Sequence, residues 1–228
     1  YKVTIIPYLN KDLKFKLENG QDAYPLYFRV TYMRQTTLIR SINEKRYSEL
    51  KLDNEEIQRE INELDNLIYF LSECNTEHFN VNGLKEKYLL SQHTLMQAFD
   101  TIFRNIVSKN KEKIKDPMLQ TLNVGEYSPK YPLHLLVTAV NEFYPNHTKI
   151  LFSNCFYYFE MVAEWMDYFP IEGDNQPRLV EFFTLKNLNT MDKGFLKFLK
   201  TRFKDEKKAS KFYSDVIDVI TKYILQDF

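Results

Sequence analysis

Six polar and cationic side chains lie within one short stretch near the start of the chain, between Ala23 and Ile42. Basic side chains neutralise nucleic-acid phosphates and fix the register of a bound protein, and polar side chains can read base edges. The six residues are Arg29, Thr31, Arg34, Gln35, Thr37 and Arg40. Their types and close spacing predict a surface that faces DNA, if one structural element presents them together.

A two-stranded β-ribbon is the element that the pattern predicts. Apolar and polar residues alternate with period two from Leu26 to Met33, as they do in a half-buried strand. We expect a tight turn at Arg34-Gln35, a returning strand from Thr36 to Ile42, and a third strand from Val3 to Ile6. A basic ribbon fits the major groove of DNA. An ordinary small sheet with solvated arginines explains the same pattern, and both interpretations stay open here.

Length and composition indicate a globular protein with more than one domain. The chain has 228 residues, of which 44% are hydrophobic and 15% aromatic, enough for a substantial core. Its two cysteines, Cys74 and Cys155, lie far apart in apolar stretches, which favours a reducing, cytoplasmic location. No stretch approaches the roughly 18 apolar residues of a membrane span, and the start does not resemble a signal peptide. We therefore expect no membrane contact.

The net charge is zero, but it is unevenly distributed. Residues 1–51 carry ten Lys and Arg against five Asp and Glu, a net of +5. Residues 52–178 carry eleven against nineteen, and residues 179–228 carry ten against seven, which gives −8 and +3. Two basic ends around an acidic middle suggest two separate contacts with a polyanion, although solvated surfaces produce similar asymmetry.

Helices are predicted almost everywhere after the ribbon. Asp53 with Glu56 resembles a capping box at the start of a helix that ends near Cys74. Further helices are expected at 81–90, 95–106, 133–143 and 150–169. Another is expected with its cap at Asn189 or Thr190, and a last one begins near Lys207. The charged run 109–116 is the best linker candidate. The fold class is therefore α+β, with a small N-terminal sheet of about three strands followed by mostly helical domains.

The start of the last predicted helix offers a second candidate surface. Backbone N–H groups at a helix N-terminus favour an anion, and clustered lysines add attraction. The polar residues that begin this helix are Lys207, Lys208, Ser210, Lys211 and Ser214. We expect them to approach a phosphate backbone, with Asn154 and Tyr157 of an earlier helix on the same surface. A solvated lysine turn between two helices is the alternative.

The order of these segments resembles the N-terminal region of Bacteroidetes-type tyrosine recombinases, the phage integrase family. The first half carries YPLYFRVT at 24–31, a Thr-rich strand at 36–41, EHFNVNGLKEKYL at 77–89 and TLMQAFDTIF at 94–103. The second half is similar to the SAM-like core-binding domain, with matching segments at 154–169, 185–201 and 207–223. The resemblance covers about three quarters of the chain, and residues 110–147 match poorly.

This resemblance implies a division of the chain and a role for it. Residues 1–52 would be an arm-type DNA-binding domain, 53–116 a helical linker region, and 117–228 a SAM-like helical core-binding domain, best matched at 150–228. The implied function is sequence-specific binding and positioning of double-stranded DNA, with other integrase protomers as further partners. The competing interpretation is a helical protein-interaction module without DNA binding.

The family's catalytic groups do not occur in the pattern that cleavage requires. These enzymes use a tyrosine nucleophile supported by cationic groups, which include a His-x-x-Arg motif in a C-terminal catalytic domain. None of the four histidines, His78, His93, His134 and His147, is followed by Arg three residues later, and the chain stops at Phe228. We expect a fragment or truncated relative that does not cut DNA by itself.

Other chemistries have weaker support in the sequence. No His/Cys cluster has the spacing of a zinc site, and no phosphate loop, dinucleotide fingerprint or Gly-x-Ser-x-Gly motif is present. Glu160 and Glu164 are spaced to share a helix face, but a solvated stripe explains them as well. The sequence therefore predicts no metal and no cofactor, and an enzyme with an unrecognised site is the third class to consider.

Overall fold

The structure, a computed structural model, describes residues 2–74, 81–114, 120–122, 132–168, 178–182 and 190–225. These residues form two compact units that divide between Gln92 and His93. The division falls inside the segment 53–116, which was expected to be one helical linker region. The fold class is α+β, as expected, with a small antiparallel sheet first and helices after it.

The first unit is built on one long central strand. The strands are β1 (Val3–Leu9), β2 (Phe15–Lys16), β3 (Asp22–Tyr32), β4 (Gln35–Arg40) and β5 (Arg46–Tyr47), and all four others pair antiparallel to β3. The three predicted strands are thus confirmed, and two short ones are added. Leu26, Phe28 and Val30 are fully buried on one face of β3, as the period-two alternation predicted.

The turn between β3 and β4 differs from the prediction by one residue. Tyr32 pairs with Gln35, so Met33 and Arg34 form a two-residue turn, with φ of 46° and 65°. Positive φ at both positions is the geometry of a type I′ turn, which matches the twist of paired strands. The expected turn at Arg34-Gln35 was therefore wrong by one residue. Asn or Gly usually marks a type I′ turn, and because neither occurs here, the sequence did not indicate its position.

Two helices complete the first unit. Helix α1 (Glu55–Cys74) begins one residue after Asn54, whose side chain accepts hydrogen bonds from the N–H groups of Glu56 and Ile57 at 3.0 and 3.2 Å. Asn54 is therefore the N-cap, and the predicted capping box of Asp53 with Glu56 was wrong, since Lys45 pairs with Glu56 at 2.5 Å. A 3₁₀ turn (Val81–Gly83) leads into α2 (Leu84–Ser91).

A buried carboxylate connects α1 to the loop after β4 and to α2. Glu60 is completely buried. Ser41 Oγ and Asn43 Nδ2 each donate a hydrogen bond to Glu60 Oε1 at 2.7 Å. The Ile42 N–H donates to Glu60 Oε2 at 3.2 Å, and the Tyr88 hydroxyl donates to the same oxygen at 3.4 Å. Four donors therefore compensate this carboxylate for the loss of water.

The second unit is helical. Its helices are α3 (Leu95–Asn110), α4 (Leu133–Phe143), α5 (Pro145–Phe152), α6 (Asn154–Tyr168), α7 (Thr190–Phe203) and α8 (Glu206–Leu225). Thr94 and Gln97 form a capping box at the start of α3. Helix α3 continues to Asn110 and a 3₁₀ turn follows it at Lys111–Lys113, so the first part of the predicted linker is helical.

Aromatic side chains form the core of this second unit. Phe103 lies 4.8 Å from Phe152, 6.4 Å from Phe156 and 5.3 Å from Phe159, measured between ring centroids. Phe99 packs edge-on against Phe159 at 5.8 Å. Phe152, Phe156, Phe159 and Trp165 are all buried, so the aromatic side chains of this stretch supply much of the core of the second unit.

The predicted single helix at 150–169 is two helices. Ser153 has a φ of 49°, which ends α5 at Phe152 and lets α6 begin at Asn154. A positive φ at a residue other than glycine is uncommon, and sequence periodicity does not reveal it. The predicted cap at Asn189 or Thr190 lies outside the residues whose side chains are described. Among the described helices, none combines the length and apolar character that crossing a bilayer requires.

Candidate nucleic-acid interface

One face of the sheet is open to solvent. Alternate residues of the three long strands point to it, and they are Thr4, Ile6 and Tyr8 on β1, Tyr27, Arg29 and Thr31 on β3, and Thr36, Leu38 and Arg40 on β4. We call these nine residues the open sheet face. The opposite face carries the buried Leu26, Phe28, Val30 and Ile39.

The strand register arranges the open sheet face in three rows. Thr4, Thr31 and Thr36 form one row, in which the Thr31 and Thr36 hydroxyls are hydrogen-bonded at 3.0 Å. Arg29 is the centre of the middle row, between Ile6 and Leu38, which are 49% and 50% exposed. The third row runs from Tyr8 through Tyr27 to Arg40. Each row thus offers different chemistry across the three strands.

The electrostatics of this face are positive. None of its nine residues is acidic. Arg29 lies over the Tyr8 ring, with its guanidinium carbon 5.6 Å from the ring centroid, and Tyr8 in turn lies 5.9 Å from Tyr27. Within the described residues, neither Arg29 nor Arg40 forms a salt bridge. The stacking orients Arg29 while its charge stays available to an anion.

Several other cations of the first unit are already paired. Lys14 and Lys16 both contact Asp22, at 2.6 and 2.8 Å. The pKa of Asp22 is lowered by these hydrogen bonds, chiefly the one from Lys14, although its burial acts in the opposite direction. Lys51 contacts Glu49 at 2.8 Å. Among the described residues, Arg29 and Arg40 on the open sheet face and Arg34 in the turn form no salt bridge. The same is true of Lys2, Lys11 and Arg46 elsewhere in this unit.

Only part of the predicted ribbon surface lies on this face. Arg29, Thr31 and Arg40 are on it, and Arg34 is in the adjoining turn. Thr37 and Gln35 pair with Val30 and Tyr32 and therefore point to the opposite face. Their expected place beside Arg29 was wrong for two reasons. Gln35 lies in β4 and not in the turn, and Thr37 is three residues from Arg40 along β4, so the alternation of side chains puts these two on different faces.

Six members of the open sheet face were not predicted from the sequence. These are Thr4, Ile6, Tyr8, Tyr27, Thr36 and Leu38. A local signal exists for the β1 residues, because a strand is predicted from Val3 to Ile6 and alternate residues of a strand share a face. Nothing local indicates which residues of two strands lie side by side, because the register depends on a pairing that is distant in the sequence.

The backbone contact expected at the start of α8 is already occupied. Asp205 Oδ1 accepts hydrogen bonds from the N–H groups of Lys207 and Lys208 at 2.9 and 3.1 Å. Asp205 is thus the N-cap, and a phosphate would have to displace its carboxylate. These two N–H groups are therefore already bonded within the chain, and an anion at this helix start would contact the lysine side chains.

The second predicted surface is brought together in part. The rings of Tyr157 and Tyr158 pack edge-on against Phe212 of α8, at 5.3 and 5.1 Å. Lys208 and Lys211 lie four and one residues before Phe212, and these two lysines border that contact. Lys207, Ser210 and Ser214 lie roughly 140–200° around the helix and point elsewhere.

Acidic groups also lie at this second surface. The Tyr158 hydroxyl interacts with Asp215 and with Asn154, and burial followed by the charge of Asp215 raises the pKa of this tyrosine. A carboxylate next to the lysines weakens the local attraction for phosphate. The surface that joins Asn154, Tyr157, Lys208 and Lys211 therefore has mixed charge, whereas the open sheet face has only positive charge.

The described residues were found to hold no cluster that suits a metal ion, and the Cys155 thiol among them is largely buried. Across those residues, no group of three or more His, Cys, Asp or Glu could hold a metal ion. Burial raises the pKa of the Cys155 thiol to about 12, so that thiol is a poor nucleophile.

No protein family model, curated protein or solved structure matches this chain.

Proposed function

We propose that this chain is the DNA-binding and positioning part of a site-specific tyrosine recombinase of a mobile element, and that the open sheet face contacts duplex DNA. The observation that carries the proposal is the open sheet face itself. It joins two arginines, three threonines and two tyrosines on three strands without any acidic residue, and neither arginine has a salt-bridge partner among the described residues. The order of sequence motifs that resembles the integrase family is the independent support.

The dimensions of the sheet suit the major groove. Neighbouring strands lie about 4.8 Å apart, so the distance from β1 to β4 across β3 is about 10 Å. The major groove is about 12 Å wide, so the axes of the three strands span most of its width. Arg29, on the central strand in the middle row, would then be the deepest cation, and its fork of donors suits the acceptors on a guanine edge.

The neighbours of Arg29 suggest a division of labour on this face. Ile6 and Leu38 flank Arg29 and are about half exposed, so they can contact thymine methyl groups. Arg40 lies in an outer row and Arg34 in the turn, where they can neutralise phosphates on either side of the groove. On this proposal Arg29 contributes to sequence preference, and Arg34 and Arg40 contribute mainly to affinity.

The helical unit would make a second, weaker contact with the DNA. Lys208 and Lys211 border the Tyr157–Phe212 contact and could reach the phosphate backbone with their side chains. The resemblance assigns a core-binding role to this part of the chain. Because no histidine is followed by arginine at the family's spacing, we propose that this polypeptide positions DNA and does not cleave it.

Duplex binding at several salt concentrations tests the role of the sheet. We expect Arg40→Ala to weaken binding to all sequences and to reduce the slope of log K against log salt by about one. We expect Arg29→Ala to cost about 1–3 kcal/mol and to reduce discrimination between sequences. Arg59→Ala is the matched control, because Arg59 is an exposed arginine of α1 away from the open sheet face. Unchanged affinity in both sheet variants, with intact circular dichroism, would refute the proposal and favour a protein-interaction module.

A suicide DNA substrate tests the non-catalytic part of the proposal. We expect no covalent protein–DNA adduct after incubation, because a tyrosine without converging cationic groups is a weak nucleophile. An adduct that disappears on mutation of one tyrosine would show that this polypeptide has an active site of its own.

A further inference from the structure

Strand β4 is an edge strand with unpaired backbone groups. The Ser41 N–H donates to the Leu26 carbonyl at 3.0 Å, which makes Leu26 and Ser41 a hydrogen-bonded pair of the antiparallel ladder. Because such pairs alternate, Ile39 and Thr37 also direct their backbone groups towards β3. Three residues of β4 therefore direct their N–H and C=O groups outwards, and they are Thr36, Leu38 and Arg40.

This outward edge has little protection against another strand. Within the described residues, β4 pairs only with β3. Its sequence, QTTLIR, contains no proline and no lysine, the residues that most often block an edge. A groove of about 460 Å³ runs beside it, lined by Leu38 and Arg40 of the strand, by Glu44, and by Lys85 and Leu89 of α2. An added strand would therefore enter this groove, next to α2.

We propose that β4 pairs antiparallel with the β4 of a second copy of this chain, about a twofold axis that passes through Leu38. In this register Leu38 faces the partner's Leu38, and Thr36 faces the partner's Arg40. All three outward residues of each copy then pair, which gives six hydrogen bonds between the two strands. A shift by two residues leaves an outward residue of each copy unpaired, so the register centred on Leu38 is the most favourable.

The side chains fit the same register. Leu38 is 50% exposed in one copy, and the contact with its equivalent removes that apolar surface from water. Each Arg40 faces a threonine, so no two like charges lie directly opposite each other. A second copy therefore pairs all three outward residues, buries Leu38 against its equivalent and places no like charges directly opposite each other. An unrelated peptide would offer the same backbone bonds but not this combination of side chains.

The pairing would extend the sheet without covering its open face. The twofold axis of an antiparallel strand pair in this register is perpendicular to the sheet, so both copies present their open sheet faces on the same side. The two copies would form one six-stranded surface from their β1, β3 and β4 strands. The inference does not depend on DNA binding, and it can be tested without nucleic acid.

Sedimentation of the whole chain over a range of concentrations tests the pairing. We expect the wild-type mass to rise from 27.4 kDa to twice that value as concentration increases. Leu38→Lys and Leu38→Glu each place like charges opposite each other and should raise the dimer dissociation constant at least about tenfold. An equimolar mixture of the two variants should restore the dimer, because lysine then faces glutamate across the axis.

The control variants are Leu52→Lys and Leu52→Glu, which alter a leucine that is 59% exposed and outside the strands, and they should sediment like wild type. Circular dichroism checks that each variant is folded. A wild type that stays at 27.4 kDa up to about 0.5 mM would overturn the inference, whatever binds the edge instead. Charge variants that dimerise alone, or a mixture that stays monomeric, would overturn the register.

Discussion

Replacement of Glu60 by alanine should strongly destabilise the sheet unit. The change leaves four donors without their acceptor, from Ser41, Ile42, Asn43 and Tyr88. A hydrogen bond to a charged acceptor is worth about 1.5–3 kcal/mol, but removal of the buried charge recovers part of its desolvation cost. We therefore expect a loss of about 3–5 kcal/mol in the free energy of unfolding, a large share of the 5–15 kcal/mol typical of a domain.

Urea unfolding followed by circular dichroism measures this loss, and hydrogen exchange at the β3 amides locates it in the sheet. Glu60→Gln keeps the side-chain volume but turns an amide N–H₂ group towards groups that are also donors. We therefore expect this variant to lose about 2 kcal/mol in the free energy of unfolding. Glu73→Ala, at an exposed glutamate of the same helix, should stay within about 0.5 kcal/mol of wild type. If Glu60→Ala matched that control, the buried carboxylate would not hold α1 to the sheet.

Three further predictions concern the second unit. Burial lowers the pKa of the His93 imidazole from its ordinary value of 6.5. The stability that the neutral imidazole contributes is therefore complete above pH 6.5 and is lost as the pH falls below that value. We expect His93→Asn to remove that part of the pH dependence of the free energy of unfolding, measured with urea. Burial acts to raise the pKa of Asp100, but hydrogen bonds from His134 and Arg104 outweigh it, and the net shift of this pKa is downward. The ionised Asp100 therefore contributes stability that is present above pH 3.8 and is lost at lower pH. We expect Asp100→Asn to remove that contribution to the free energy of unfolding. In a Cys74→Ser background, Cys155 should react with a thiol reagent about a thousandfold more slowly in the native than in the unfolded state.

Each of these three predictions has a clear contrary result. A His93→Asn variant with the wild-type profile between pH 5 and 8 would show that histidine burial does not contribute. If the free energy of unfolding of Asp100→Asn falls in acid as much as that of the wild type, the ionised Asp100 does not contribute to stability. Equal rates of thiol modification in native and unfolded protein would show that Cys155 is accessible.

Local periodicity was enough to predict the main elements of the fold. The alternation from Leu26 to Met33 identified the central strand and its buried side, and the apolar spacing of the helices identified most of their positions. These patterns are local, since every residue that defines them lies within one element. The α+β class followed directly from their order along the chain.

The errors arose where the backbone adopts a conformation that the residue type does not indicate. Met33, Arg34 and Ser153 all have positive φ, although none is glycine or asparagine. The first two place the turn at Met33-Arg34, so Gln35 lies in β4 and not in the turn. The rows of the open sheet face depend on the pairing of β1 with β3, about twenty residues away, which no local pattern specifies.

The covered face of the sheet has a consequence during synthesis of the chain. Leu26, Phe28, Val30 and Ile39 are buried in the complete unit, but the helices on that side lie within residues 53–92, which are made after the strands. At 5–20 residues per second, the ribosome takes about 2–8 s to add those forty residues. During that interval the nascent sheet presents an apolar surface and an open strand edge, which is the form in which this protein would most need a chaperone.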